Sequence, residues 1–322
     1  MSEIKEIKVS VCVPVYGAEK YMEKCARSLF EQTYEDIEYV FVNDCTPDRS
    51  IEVLRQVMED YPERKEAVKI VDHEHNCGLS ATRRTCVEQA TGDYIIHFDD
   101  DDYMEPDAIS RYVSCAIETG ADMVVADHYF VYEDKAVPHH DVVPDDKAEY
   151  VRRLLTRKST IEVWGRLLRR SFIIENHLFA PDRLDLGEDY VIVPVMAYKA
   201  AKVAKVDAPL INYVKYNTTS GSTVVSHHNL ETIIQAMSML CDFFSQIDDA
   251  ADYAEALQQA KLYNKVTLYG MAAKKDYGFI RPLYPEVSVW KTPIDLKYKL
   301  LLMLASWGWD SLVFRVVSIF KR

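Results

Sequence analysis

Tyr94-Ile95-Ile96-His97-Phe98 runs directly into Asp99-Asp100-Asp101-Asp102, and Tyr103-Met104-Glu105-Pro106-Asp107 follows. The apolar run suits a buried strand, but four consecutive carboxylates cannot continue it into a core, because an unpaired buried charge is prohibitively costly. The acids therefore belong at a strand end, facing something cationic. A hard divalent ion such as Mn2+ or Mg2+ prefers oxygen ligands and leaves positions open for phosphate oxygens. A solvated acidic loop is the competing reading, and the rest of the chain weighs between the two.

Upstream of that stretch the pattern alternates. Val9, Val11, Val13 and Val15 recur at period two and stop at Pro14-Val15-Tyr16-Gly17, which reads as a strand ending in a loop. Tyr21, Met22, Cys25, Ala26, Leu29 and Phe30 then follow helical spacing. A second strand, Ile37 to Val42, leads into the polar elbow Asn43-Asp44-Cys45-Thr46-Pro47-Asp48, and a second helix carries Ile51, Leu54, Met58 and Tyr61. Val68-Lys69-Ile70-Val71 is a third strand, and a helix begins near Leu79. Four strand and helix alternations with short connections predict an α/β fold with a mostly parallel, doubly wound sheet. Ligands of such sheets bind beyond the carboxyl ends of the strands. Tyr16-Gly17, Asn43-Asp44, His75 to Gly78 and Asp99 to Asp102 all fall at such ends, so a shared cleft is expected.

At 322 residues and 48% hydrophobic content the chain can bury one large core, or one core with a satellite. A net charge of −13 argues against a nucleic-acid binder, whose footprint is basic. Seven scattered cysteines with no CxxC pair, and the charged start Met1-Ser2-Glu3-Ile4-Lys5, favour reduced thiols in a cytoplasmic setting.

Downstream, Ile109, Tyr112, Val113, Ala116 and Ile117 form a helix stripe, Met123 to Ala126 a buried strand, and Tyr129 to Val143 a hairpin. Tyr150 to Arg170 reads as a basic helical stretch, with Trp164, Arg166, Arg169 and Arg170 as candidates for an acceptor side; a core tryptophan is the alternative. Glu188 and Asp189 precede Val191, Val195 and Met196 at helical spacing, which puts them near a helix N-terminus where the dipole favours negative charge. By themselves they read equally as plain first-turn acids. Residues 208–223 resemble a strand and a Ser/Thr-rich loop, and the pattern from Asn229 to about Lys275 is helical. Between Lys291 and Arg322 six Lys/Arg face two Asp, and Leu300 to Leu304 runs into Trp307 and Trp309. The uncharged run is too short to span a bilayer, so the tail suits a helix lying in the membrane interface, with a helix docked on the protein as the rival.

On these residues the chain resembles the inverting glycosyltransferases of family 2, over roughly residues 7 to 225. Pro14-Val15-Tyr16-Gly17-Ala18-Glu19 matches the family's opening Pro-x-Tyr-Asn-x-Glu, and Asn43 to Asp48 its Asp-Asp-Gly-Ser-x-Asp elbow. Asn76 to Arg83 is similar to its Asn-x-Gly-x-x-x-Ala-Arg signature, Asp99-Asp100-Asp101 to its Asp-x-Asp metal motif, and Gly187-Glu188-Asp189 to the pair carrying the catalytic base. The chain departs from the pattern at Gly17, Cys45, Arg84 and Cys86.

The resemblance implies a GT-A type nucleotide-diphospho-sugar transferase fold, with a catalytic domain over 1–225 (a nucleotide-binding half, 1–102, and an acceptor half, 103–225). A helical extension, 226–290, and a basic amphipathic tail, 291–322, follow. It implies a metal-dependent, inverting transfer from a nucleotide-sugar to an acceptor hydroxyl, with Asp101 and Asp99 on the metal and Asp189 as base, Glu188 in reserve. Pro14, Val15, Tyr16, Glu19, Asp44, Gly78, Arg83, Asp99 and Asp100 would bind the donor. Uracil's N3–H suits the Asp44 carboxylate, which favours UDP, and Arg83 and Lys215 suit phosphate oxygens. The tail suggests a lipid-linked saccharide acceptor at the inner face of the cell membrane. A sugar-phosphate nucleotidyltransferase is the first rival, although Val15 to Glu19 is neither glycine-rich nor basic. A non-catalytic calcium or carbohydrate-binding module is the second; counted from Asp99, its EF-hand form would need Gly at Met104 and Glu at Ser110.

Overall fold

The computed structural model describes residues 7–184, 186–217 and 226–320. Its first half is strand β1 (Val9–Val15), helix α1 (Met22–Phe30), β2 (Ile37–Asn43), α2 (Ser50–Met58), β3 (Val68–Asp72), α3 (Leu79–Gln89), β4 (Tyr94–His97), β5 (Tyr103–Met104), α4 (Ala108–Thr119), β6 (Met123–Val131) and β7 (Ala136–His139). Then come α5 (Lys147–Leu155), β8 (Arg166–Arg169), α6 (Arg170–Glu175), α7 (Glu188–Lys199), β9 (Val203–Val214), α8 (His227–Ser245), α9 (Ala254–Met271), α10 (Tyr277–Ile280), α11 (Leu296–Ser306) and α12 (Asp310–Phe320).

Nine strands make one sheet, ordered β3-β2-β1-β4-β8-β6-β9-β5, with β7 on β6. The expected parallel half is β3-β2-β1-β4. Every residue of β1 is buried, as a strand covered on both faces requires. Chain order reverses between β1 and β4, which makes the space beyond their carboxyl ends a topological switch point. Register puts Val15 beside Asn43 and Asn43 beside Asp72. Cys12 pairs with His97, so β4 ends short of β1 and releases the aspartates across the mouth of that space.

The other half of the sheet is mixed. β8 runs antiparallel between β4 and β6, whereas β6 and β9 pair in parallel. The helix expected over Tyr150 to Arg170 is thus broken. It ends with α5, and after Gly165, at a φ of +66°, Leu167 and Leu168 enter the sheet. Both are fully buried, one on each face, a demand that no single helical stripe meets.

The chain divides into two compact units. One takes in the described residues of Met1–Lys147, Glu162–Arg183 and Met196–Thr218, the other those of Ala148–Ile161, Leu184–Val195 and Thr219–Arg322. By this grouping α5 and the first two thirds of α7 go with the C-terminal helices. The first unit's core gathers β1, β2, β4, α1 and α4. In the second, Leu230, Leu262, Leu268, Tyr277, Leu301 and Val313 are buried together.

Candidate active site

The loop after β1 is built to be held by side chains from the β2 elbow and from the acidic run. Tyr16 N–H donates to Asp100 Oδ2 (2.9 Å), Gly17 N–H to Thr46 Oγ1 (2.9 Å), Ala18 N–H to Ser50 Oγ (3.0 Å) and Glu19 N–H to Asp48 Oδ2 (2.9 Å). Four successive amides are thereby committed. Glu19 turns its carboxylate to Arg49, whose hydrogen bonds hold it below the usual carboxylate range. Pro14 and Val15 close the buried strand, while the Tyr16 ring stands 54% exposed at its end.

Asp44, only 4% exposed, lies under the neighbouring loop. Its Oδ1 accepts from Cys77 N–H (2.8 Å) and lies 2.8 Å from His73 Nδ1, and its Oδ2 accepts from Gly78 N–H (2.9 Å). Gly78 presents that amide at a φ of +86°, where a side chain would be strained. His73 in turn contacts Thr85 Oγ1 through Nε2, and Asn76 Nδ2 donates to the Asp44 carbonyl. The elbow and the start of α3 are thus locked together around one carboxylate. Cys45, where the family pattern has glycine, takes a φ of +56°, a position that costs a non-glycine residue about 1 kcal/mol or more.

The four aspartates separate by role. Asp100 accepts from the Tyr16 amide, and Asp102, 1% exposed, accepts from Val214 N–H at 2.8 Å. Asp99 is held by Arg83, Nη2 to Oδ1 3.0 Å, and Asp101 by Asn217, Nδ2 to Oδ2 2.7 Å. Burial, reinforced by the neighbouring carboxylates, raises Asp100, Asp101 and Asp102 above the ordinary range. Such crowding disfavours ionisation unless a cation joins the cluster. Asp99 and Asp101, held by the Arg83 and Asn217 side chains, could hold one, and an all-oxygen donor set fits Mn2+ or Mg2+. Arg83 is 7% exposed, so it is not a surface helix arginine; it orients Asp99. His97 lies inside, its pKa lowered to about 3 by burial and by Arg83, and stays neutral.

Beside the acids, Trp164 is 6% exposed and packs against His128 and Tyr213, with ring centroids 5.2 and 4.9 Å away. Lys215 Nζ sits 4.0 Å over the Tyr213 ring and 4.9 Å over Phe130. The expected acceptor-side role of Arg166, Arg169 and Arg170 is not supported. β8 is antiparallel to β4, so Arg169 pairs with Tyr94 at the amino end and binds Asp122 (2.9 Å), while Arg170 N–H donates to Asp93. Arg166 is buried, its Nε donating to the Glu162 carbonyl.

Glu188 and Asp189 belong to the other unit, in the first turn of α7, both half-buried. Gly187 precedes them at a φ of +95°, and a Cβ there would lie 2.9 Å from Ala236 Cβ. A glycine is therefore required to bring the chain into that turn.

The Glycosyl transferase family 2 model matches residues 10–178, just over half of the chain. The chain belongs to family 2. It is 28% identical over 246 residues to Glycosyltransferase GlyA of Streptococcus pneumoniae, covering 72% of this chain and 34% of that protein. It is 31% identical over 212 residues to the uncharacterized glycosyltransferase EpsJ of Bacillus subtilis, covering 64% and 60%. A poly(ribitol-phosphate) beta-glucosyltransferase of Bacillus spizizenii matches at 26% over 85% of this chain and 41% of its own. The chain thus spans between about a third and three fifths of these relatives. The crystal structure of S. aureus TarS 1-349 superposes with a TM-score of 0.67 at 17% identity, covering 98% of this chain and 91% of that one. This likeness establishes the GT-A type fold.

Within this family 2 domain, the loop after β1, the β2 elbow, the start of α3 and the acidic run meet at one switch point, as the strand-end pattern implies. His73, Thr85 and Asn217 are the additions. Nearness to a strand end could have pointed to His73 and Asn217, whereas Thr85 lies within α3 and carries no recognisable spacing.

Proposed function

We propose that this protein transfers a sugar from a nucleoside diphosphate to an acceptor hydroxyl with inversion at the anomeric carbon, and that the donor is a UDP-sugar. The observation that carries the reading is the convergence of Tyr16, Asp44, Arg83, Asp99 and Asp101 at the carboxyl ends of β1, β2 and β4.

In this reading Tyr16 offers an exposed ring to the base. Asp44, its oxygens taken up by His73, Cys77 and Gly78, shapes the base pocket through the loop it fixes rather than accepting from uracil N3–H as expected. What supports UDP is the fold shared with S. aureus TarS 1-349 in complex with UDP-GlcNAc. Asp101 with Asp99 would hold Mn2+ or Mg2+, which when bound neutralises the charge on the leaving diphosphate. Arg83 keeps the Asp99 carboxylate aimed at that position. Asp189, with Glu188 in reserve, takes the acceptor proton on the face opposite the leaving group, and a single displacement with one base inverts the centre. The acceptor is a saccharide, and the apolar, basic tail favours a lipid-linked one at the cytoplasmic face of the membrane. A nucleotidyltransferase is the weaker reading: a triphosphate needs a cradle of available amides, and those of residues 16–19 already serve side chains.

Equilibrium binding of UDP with and without Mn2+ tests the proposal. Asp101→Ala should abolish metal-dependent binding, whereas Asp189→Asn should retain binding and lose transfer. Near-normal turnover by Asp189→Asn would place the base elsewhere.

A further inference from the structure

Helix α11 is apolar on two sides. Leu301, Leu302 and Ala305 are buried in the second unit's core. Leu296, Leu300, Met303 and Trp307 follow one another at i, i+4, i+7 and i+11, a single stripe on the opposite side of the helix. Leu296, Leu300 and Trp307 are 63%, 43% and 58% exposed. A soluble helix normally turns a polar face outward, so this stripe needs a separate explanation.

The surroundings share the pattern. Of the sixteen large apolar side chains exposed among the described residues, eight lie between Trp290 and Ile319. Trp307 and Trp309, either side of Gly308 at a φ of +75°, stand edge to face with ring centroids 5.4 Å apart. Three of the chain's four tryptophans are here and exposed; the fourth, Trp164, is buried.

Charge distinguishes among the occupants. Residues 291–322 carry six Lys/Arg and two Asp, a net +4, which leaves −17 on the remainder of a −13 chain. Lys297 and Lys299 flank the apolar stripe on its two sides, and Lys299 Nζ also donates to the Trp290 carbonyl. Lys274 reaches Ser311 Oγ at the start of α12 (2.6 Å), and Asp310 is neutralised by Arg281. Two copies joined through this face would oppose like charges along both flanks. An anionic surface with an apolar interior meets it on both counts, with tryptophans at headgroup depth and lysines reaching back to phosphates.

We infer that the outer stripe of α11, with Trp307 and Trp309, docks this protein on the surface of a bilayer containing anionic phospholipid. The helix lies flat, inserting Leu296, Leu300, Met303 and Trp307 while Leu301 and Leu302 stay in the core. No described helix is long and apolar enough to cross a membrane, so the attachment is interfacial. It stands independently of the reaction assigned above.

Sedimentation of the full chain with phosphatidylglycerol and phosphatidylcholine vesicles mixed at about 3:7, against phosphatidylcholine alone, tests this. Binding should favour the anionic vesicles and weaken steeply with salt. Leu300→Ser with Trp307→Ser should reduce partition on the order of tenfold or more, and Lys297→Gln with Lys299→Gln roughly fivefold per charge. Far-UV circular dichroism should be unchanged in both variants, because Lys297, Leu300 and Trp307 are exposed and Lys299 is half-buried, bonded to the Trp290 carbonyl at the surface. Brominated lipid should quench the parent's tryptophan fluorescence. Equal partition to the two vesicle types, no partition, or variants that bind like the parent would overturn the inference. So would self-association that the Leu300 and Trp307 substitutions abolish in a protein that ignores vesicles, since the face would then belong to a second copy.

Discussion

Asp44→Asn is the substitution that most directly separates an anchoring carboxylate from one that only reads the base. In the parent, Oδ1 faces Cys77 N–H and His73 Nδ1, each at 2.8 Å, and Oδ2 takes Gly78 N–H at 2.9 Å. Asparagine keeps one acceptor oxygen, so its amide nitrogen must confront either the Gly78 or the Cys77 donor. A hydrogen bond to a charged group contributes ~1.5–3 kcal/mol, and a buried donor left unsatisfied costs ~1–3 kcal/mol. With Asp44 almost wholly buried, solvent offers little relief, and a loss of about 3 kcal/mol is expected. Urea denaturation followed by circular dichroism measures it, with UDP affinity taken on the same samples. A variant as stable as its parent to within ~0.5 kcal/mol, but deficient in UDP binding, would refute the anchoring role and leave direct base contact as the function of the carboxylate.

Other outcomes follow from the same kind of reasoning. Burial alone would raise the pKa of Glu38, but hydrogen bonds from Lys8, Ser10 and Thr91 outweigh it and hold the group at about 2. A folded pKa below the unfolded one gives stability that is present above about pH 4.5 and lost as pH falls toward 2. Glu38→Gln should therefore remove about 3 kcal/mol near neutrality and flatten the acid limb of the stability curve, as read from urea midpoints across pH. Gly187→Ala should destabilise by about 2 kcal/mol, because its Cβ meets that of Ala236 at 2.9 Å in a left-handed backbone; an unchanged thermal midpoint would contradict this. Tyr112→Phe deletes a buried hydroxyl that donates to the Gly165 carbonyl (2.5 Å) at the entry to β8, and should cost about 1–2 kcal/mol in the same assay. Chelation of divalent ions should release UDP, and added Mn2+ should restore binding.

The parallel half of the sheet was legible because β1 to β4 are each dominated by apolar residues and stop at polar loop residues. β8 was not: four residues with arginine at each end continue a basic helical pattern, and only tertiary placement makes Leu167 and Leu168 a strand. That strand's direction also carries Arg169 and Arg170 to the end of the sheet away from the aspartates. The acidic run announced itself, but not its division of labour. Asp100 and Asp102 serve backbone amides of Tyr16 and Val214, the second 112 residues further on, and no local spacing encodes such a partner. Asp44 could be picked out from its elbow, whereas the loop it holds arrives some thirty residues later. In the tail, the run Leu300 to Leu304 read as one apolar block. Its members face in opposite directions, Leu301 and Leu302 inward and Leu300 outward.

The interleaving of the two units bears on how the polypeptide can be made and cut. Tyr150, Leu154 and Leu155 are fully enclosed, and Tyr190 donates its hydroxyl to the Leu155 carbonyl. Their unit is completed by helices that leave the ribosome only after residue 226. During synthesis that unit stays incomplete until those helices emerge, a window in which chaperones or aggregation compete. A fragment stopped at residue 225, however natural a catalytic truncation on paper, would leave that unit without its last helices.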